Sequence, residues 1–204
     1  MAGRIHRDEG YSVSEMMVVA ILMSLVIIAS YTLMTAATGM ADSVQARTLA
    51  ADEGRAVMDQ ITREFRQAYE IVDNEGAFED ARPRECVFYT DVNRDGIPEK
   101  IWYRVQGGML YRSQATATTA LPPYTFGAFG PEEVLAESLD GTWTGNVFTY
   151  YDGQDPPDEV PSGQADRISA VSLRLVTGAT VNKKTAFVDL STWVKIRAVH
   201  NTID

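Results

Sequence analysis

Few side chains in this sequence have the types and spacing that chemistry needs. The best-ordered set is Asp91-Val92-Asn93-Arg94-Asp95-Gly96, followed by Glu99. Oxygen ligands at alternate positions before a glycine open a calcium loop, because a hard cation collects carboxylate and amide oxygens around a sharp turn. Glu99 would add a further ligand. The closing bidentate glutamate of an EF-hand is absent: Trp102 stands six residues after Gly96, and Pro98 interrupts the pattern. The same residues suit an Asn/Asp/Gly turn between two strands. The set therefore reads either as a plain turn or as a calcium loop of Asp91, Asn93, Asp95 and Glu99.

The remaining sets are thinner. Asp155, Asp158 and Glu159 lie in an acidic Pro/Gly loop, Asp152 to Gly163, where a solvated rim is expected rather than a pair of working acids. The stretch Gly178 to Thr185 ends in Lys183-Lys184-Thr185 but lacks the second glycine of a phosphate loop, so it reads as a turn. The two histidines, His6 and His200, sit near opposite ends of the sequence, and Cys86 is the single cysteine. One thiol excludes an internal disulfide and a multi-cysteine metal site. No Ser-His-Asp pattern, zinc motif or nucleophile elbow is present. The chain reads as non-catalytic, with no cofactor beyond the calcium alternative.

One further carboxylate stands in an unusual place. Glu15 lies at the edge of an uncharged run of 26 positions, Met16 to Ala41. Crossing a bilayer core takes about 20 apolar residues as a helix. The run has no proline, and Arg4 and Arg7 precede it. A secretory signal cut after Gly39-Met40-Ala41 is one reading, but its apolar region would usually span only about 7–15 residues. A signal anchor with Arg4 and Arg7 on the cytoplasmic side is a second. On that reading the body is an extracytoplasmic binding or adhesin domain that never polymerises. The third is a processing site placed before the run.

The third reading carries a resemblance. Gly10-Tyr11-Ser12-Val13-Ser14-Glu15, followed by Met16-Met17-Val18-Val19-Ala20, resembles the leader junction of type IV prepilins and type II secretion pseudopilins. That junction is a short charged leader ending in glycine, then an aromatic residue, a glutamate at the fifth position and an unbroken apolar helix. Tyr11 stands here where phenylalanine is more usual. The resemblance implies cleavage after Gly10 by the prepilin peptidase and N-methylation of Tyr11. It also implies that Glu15 pairs with the N-terminal amine of a neighbouring subunit. Later fragments extend it: Phe88-Tyr89-Thr90-Asp91, Trp102-Tyr103-Arg104, Gly107 to Arg112 and Phe148 to Asp152 are similar to the larger minor pilins, the PilW-like and J-type pseudopilin group. The implied partners are the peptidase, other pilin or pseudopilin subunits, an inner-membrane assembly platform and membrane lipid. The implied location is the bacterial cytoplasmic membrane, body outside, and then a pilus or pseudopilus, with a place at the tip or in initiation.

The elements that must position these residues follow from periodicity. Val57, Met58, Ile61, Phe65, Ala68, Tyr69 and Val72 recur at spacings of three and four, so an amphipathic helix continues the apolar one. Arg47, Asp52, Glu53, Arg55, Asp59, Arg63, Glu64 and Arg66 read as its charged surface. A helix from Ser12 to Val72 would be ~90 Å long, too long for one small domain to cover, and Asp73-Asn74-Glu75-Gly76 would stop it. Period-two strands follow at 85–90, 100–105, 109–112, 146–151, 167–176 and 184–197, with a short strand or helical turn at 133–136. Gln106-Gly107-Gly108 marks a hairpin, and 177–183 joins the last two strands. Residues 115–131 read as a small-residue loop with exposed aromatics. The fold class is α+β: a long N-terminal helix packed on an antiparallel sheet body. The expected organisation is a leader at 1–10, a transmembrane and filament-core helix at 11–41, its amphipathic continuation at 42–75 and a β-rich domain at 76–204.

Hydrophobic content of 45% supports one packed core of that size, and the net charge is −10. An acidic body is repelled by phosphate backbones, so general nucleic-acid binding is not expected.

Overall fold

The computed structural model describes residues 11–68, 70–71, 76–137, 139–140 and 144–196. Helix α1 runs Val13–Arg66 over 54 residues, about 80 Å at 1.5 Å per residue. Among the described residues eight strands follow: β1 (Phe78–Arg82), β2 (Glu85–Thr90), β3 (Glu99–Gln106), β4 (Met109–Thr116), β5 (Glu133–Ala136), β6 (Phe148–Tyr151), β7 (Ala170–Val181) and β8 (Lys184–Lys195). They form a five-stranded sheet in order β1-β2-β3-β4-β5 and a three-stranded sheet in order β6-β7-β8. All strand pairs are antiparallel. The architecture is α+β, one long helix against a mostly antiparallel body.

The helix divides in two. No residue between Val13 and Gln45 is buried. From Ala46 onward, Ala46, Ala50, Gly54, Val57, Met58, Ile61, Glu64 and Phe65 are buried on one face. Small residues come first and large ones last. That taper lets the β7–β8 hairpin lie close along the helix at Ala50 and Gly54, and lets Phe65 fill the centre of the body. Phe65 meets the rings of Phe78, Phe88, Tyr103 and Phe148 at centroid distances of 5.7, 4.9, 6.3 and 6.0 Å. These rings come from both sheets, so one helical side chain joins the two layers. Edge-to-face geometry of this kind contributes beyond simple burial.

Two of the tight hairpins turn through residues with positive φ. Gly107 and Gly108 take φ of 62° and 77° between β3 and β4, which glycine does without steric cost. Asn182 and Lys183 take φ of 45° and 69° between β7 and β8. The second turn is thus two residues long, and 177–181 belong to β7, not to a connecting loop.

Several expectations need correction. The helix ends at Arg66, short of Val72. Gln67 caps it in a near-helical conformation, and Ala68 leaves to bridge Thr90 on β2, exchanging helical bonds for sheet pairing. Tyr69, Val72 and the stop at Asp73 to Glu75 lie outside the described residues, as does Arg197 at the end of the last strand. Strand β1 was not expected, because Phe78-Glu79-Asp80-Ala81-Arg82 alternates weakly in sequence. It forms through pairing with β2. Residues 133–136 are a strand. The aromatics of the 115–131 loop are half-buried rather than exposed: Phe126 lies 5.2 Å from Tyr89, and Phe129 lies 5.3 Å from Trp102, over the outer face of the larger sheet. Glu64 does not belong to the charged surface; it is 5% exposed.

Candidate functional site

The first candidate is the free half of α1. Ser12 is the N-cap, extended and without a side-chain cap bond, and Glu15 occupies the first turn. Among the described residues Glu15 has no ion-pair or hydrogen-bond partner. Its carboxylate sits beside the unsatisfied amides at the positive end of the helix dipole. Tyr11, Met16, Met17, Ile21, Leu22 and Leu25 head a sequence of apolar side chains that are all more than half exposed. The helix is long and apolar enough to cross a membrane, by length and composition, and lies near the N-terminus.

Four hydroxyls inside this stretch are satisfied by the helix itself. Ser24 Oγ donates to the Ile21 carbonyl at 2.7 Å, Thr32 Oγ1 to Ala29 at 2.8 Å, Thr35 Oγ1 to Thr32 at 3.0 Å and Thr38 Oγ1 to Thr35 at 3.0 Å. A hydroxyl bonded back onto its own helix needs no water. From Val13 to Ala41 the surface is therefore mostly apolar, and Glu15 is the one charge it carries. Gly10 and the junction before Tyr11 lie outside the described residues.

The second candidate is the Asp91 loop. Asp91 accepts hydrogen bonds from the Asp95 amide on Oδ1 at 3.1 Å and from the Gly96 amide on Oδ2 at 2.9 Å. Asn93 Oδ1 accepts from the Asp95 amide at 2.9 Å, and Asp95 Oδ1 accepts from Ile97 at 2.8 Å. Glu99, on β3 and 4% exposed, accepts from the Val92 amide at 2.8 Å. Burial raises the Glu99 carboxyl above its usual range; the Val92 bond lowers it, and Asp91 and Asp95 raise it further. The structure brings all four residues to one loop and turns their oxygens onto the loop's own amides. Among the described residues no three His, Cys, Asp or Glu side chains converge as a metal-holding group.

The acidic loop behaves as a rim with one anchored member. Asp155, Asp158 and Glu159 are exposed. Asp152 is buried and accepts from the amides of Gln154 and Asp158 and from Arg167. The Asp158 amide, ahead of the Arg167 guanidinium, holds its carboxyl below the usual range. Cys86 is fully buried, and burial pushes its thiol well up, which makes it unreactive.

Sequence reasoning missed a buried polar group formed by Glu64 on α1, Tyr103 on β3 and Arg112 on β4. Tyr103 Oη donates to Glu64 Oε2 at 2.7 Å, and Arg112 Nε donates to Glu64 Oε1 at 3.0 Å. The available signal was positional: Glu64 precedes Phe65 and follows Ile61 by three, which puts it on the apolar face. No protein-family model and no curated protein matches this chain.

Proposed function

We propose that the chain is a non-catalytic pilin-like filament subunit. It would be cut after Gly10, methylated at the Tyr11 amine, held in the cytoplasmic membrane by α1 with its body outside, and assembled through that helix. A minor, tip or initiating position in a type IV pilus or type II pseudopilus fits its motif order. The observation that carries this reading is the division of α1. Its second half is packed into the body, while residues 13–38, about 40 Å of helix, are exposed throughout. Such a surface needs lipid or other helices around it.

Cleavage before the apolar run, rather than after it, keeps this helix on the mature protein. A charge placed deep in hydrocarbon costs about 3 kcal/mol on insertion scales. The freed amine of a neighbouring Tyr11 would offset that cost at Glu15 once helices bundle. Mass spectrometry of the mature N-terminus tests the reading. N-methyl-Tyr11 is expected. A chain starting at Met1 would instead select a signal-anchored binding domain, and one starting at Asp42 a protein released after Ala41.

A further inference from the structure

Strand β8 is the outer strand of the three-stranded sheet, twelve residues long and paired on one side only, with β7. Its neighbour Ile196 donates its amide to the Ser169 carbonyl at 2.9 Å. The β7–β8 register is regular from Ala170↔Lys195 to Val181↔Lys184. In an antiparallel strand alternate residues turn both backbone groups to the same side. The backbones of Lys195, Trp193, Ser191 and Asp189 therefore face the open edge. Beyond that edge lies a groove of about 640 Å³ between β8 and the last turns of α1, lined by Met58, Asp59, Thr62, Arg63, Arg66 and Thr192 among others. Arg66 continues it into a second hollow with Trp193, Lys195 and Ile196.

The charge here runs against the rest of the protein. The chain carries −10, yet Arg63, Arg66 and Lys195 are exposed around one groove and have no ion-pair partner among the described residues. Asp59 is the one carboxylate among the described residues lining it. Asp189 on β8 is already held by Arg174. Trp193 is 51% exposed beside the cations. The geometry points to β8 as a docking edge for an extended acidic segment of another protein chain. That segment adds as a fourth strand and places its carboxylates on Arg63, Arg66 and Lys195. Backbone pairing supplies affinity, and the cations select the sign of charge.

The inference stands apart from the filament reading, because it concerns the body and not the free helix. The test titrates full-length protein in detergent with two fluorescent peptides, one alternating valine and glutamate and one alternating valine and lysine. The glutamate peptide should bind and quench or shift Trp193 emission, and the lysine peptide should not. Arg66→Glu and Lys195→Glu should each weaken binding about tenfold or more. Ser191→Pro removes an outward amide without touching the β7 ladder, so it should abolish binding while circular dichroism stays unchanged. Equal binding of both peptides, no binding, full binding by Ser191→Pro, or occupation of the edge by a second copy of the chain would each overturn the assignment.

Discussion

Glu64 on α1 and Arg112 on β4 form an ion pair across the helix–sheet boundary, Nε to Oε1 at 3.0 Å, with side chains 7% and 11% exposed. Tyr103 adds a third member, and Arg112 also donates to Gln114 Oε1 at 3.2 Å. The pair fixes the rotation of the helix about its axis, because slipping it would leave a buried carboxylate without donors. Breaking such a pair from one side costs about 3–5 kcal/mol, since the remaining charge stays buried. Arg112→Met should lower unfolding free energy by about that amount. The double variant Glu64→Leu with Arg112→Met should regain most of it. Urea unfolding followed by circular dichroism measures both.

Two helical glycines should respond in opposite directions. A Cβ on Gly54 would lie 2.8 Å from Thr177 Oγ1 and closer still to Leu190, where the β7–β8 hairpin meets the helix. Thr177 Oγ1 donates to the Ala50 carbonyl at 2.7 Å there, so the contact cannot relax freely. A Cβ on Gly39 meets nothing within 4 Å. Gly39→Ala should raise helix stability by about 0.5–1 kcal/mol. Gly54→Ala should lose about 1–3 kcal/mol through overpacking, despite the same propensity gain. Melting temperatures of the two variants compare them directly.

Asp91→Ala removes the acceptor for two loop amides. The expected loss is about 1–2 kcal/mol. If the residue serves the turn alone, the loss is the same in calcium and in chelator, which is the outcome expected from oxygens directed at amides. A melting temperature of the parent protein that rises with calcium would instead make Asp91, Asn93, Asp95 and Glu99 ligands.

Alkaline pH should unfold the body. Burial raises the Cys86 thiol well above its ordinary value near 9. Burial first, and then the neighbouring Glu64 carboxylate, raises Tyr103 well above 10. Burial and the adjacent Cys86 do the same to Tyr150. The unfolded chain releases these protons at ordinary values while the folded chain keeps them. Stability is therefore fully present below about pH 9 and falls as pH rises through 9 and 10, by up to about 1.4 kcal/mol per pH unit for each group. Cys86→Ala should move the onset of the fall upward. Urea titrations at a series of alkaline pH values read this slope.

Processing and assembly should separate at two positions. Gly10→Val should leave an uncut precursor, visible as a heavier band and an unmodified N-terminus. Glu15→Val should be cut normally yet be absent from filaments. Normal cutting of the first variant would remove the peptidase from the account, and normal incorporation of the second would remove the proposed salt bridge.

Local pattern was enough for much of this fold. The unbroken apolar run made a long helix unavoidable, and period-two alternation placed β2, β3, β4, β7 and β8 within a few residues. Strand β1 escaped because its formation depends on the edge β2 offers. Glu64 escaped because its charge suggested a surface position, although its spacing from Ile61 placed it inward. The aromatics of the 115–131 loop read as exposed because nothing local says that Tyr89 and Trp102 wait beneath them. The Asp91 set was legible as a cluster, but the direction of its oxygens was not.

By itself the sequence determined what depends on neighbours along the chain: the helix, the strand periods, the hairpin turns and a charge standing at the mouth of an apolar run. Tertiary structure alone decided where α1 stops being free and starts being packed, which acid is buried, and which strand is left with an open edge beside three cations. Those outcomes depend on contacts between segments many residues apart, such as Ala50 with Thr177 and Glu64 with Arg112. Such contacts form only when burial of the whole core outweighs the entropy of bringing the segments together, and no local window of the sequence contains that balance.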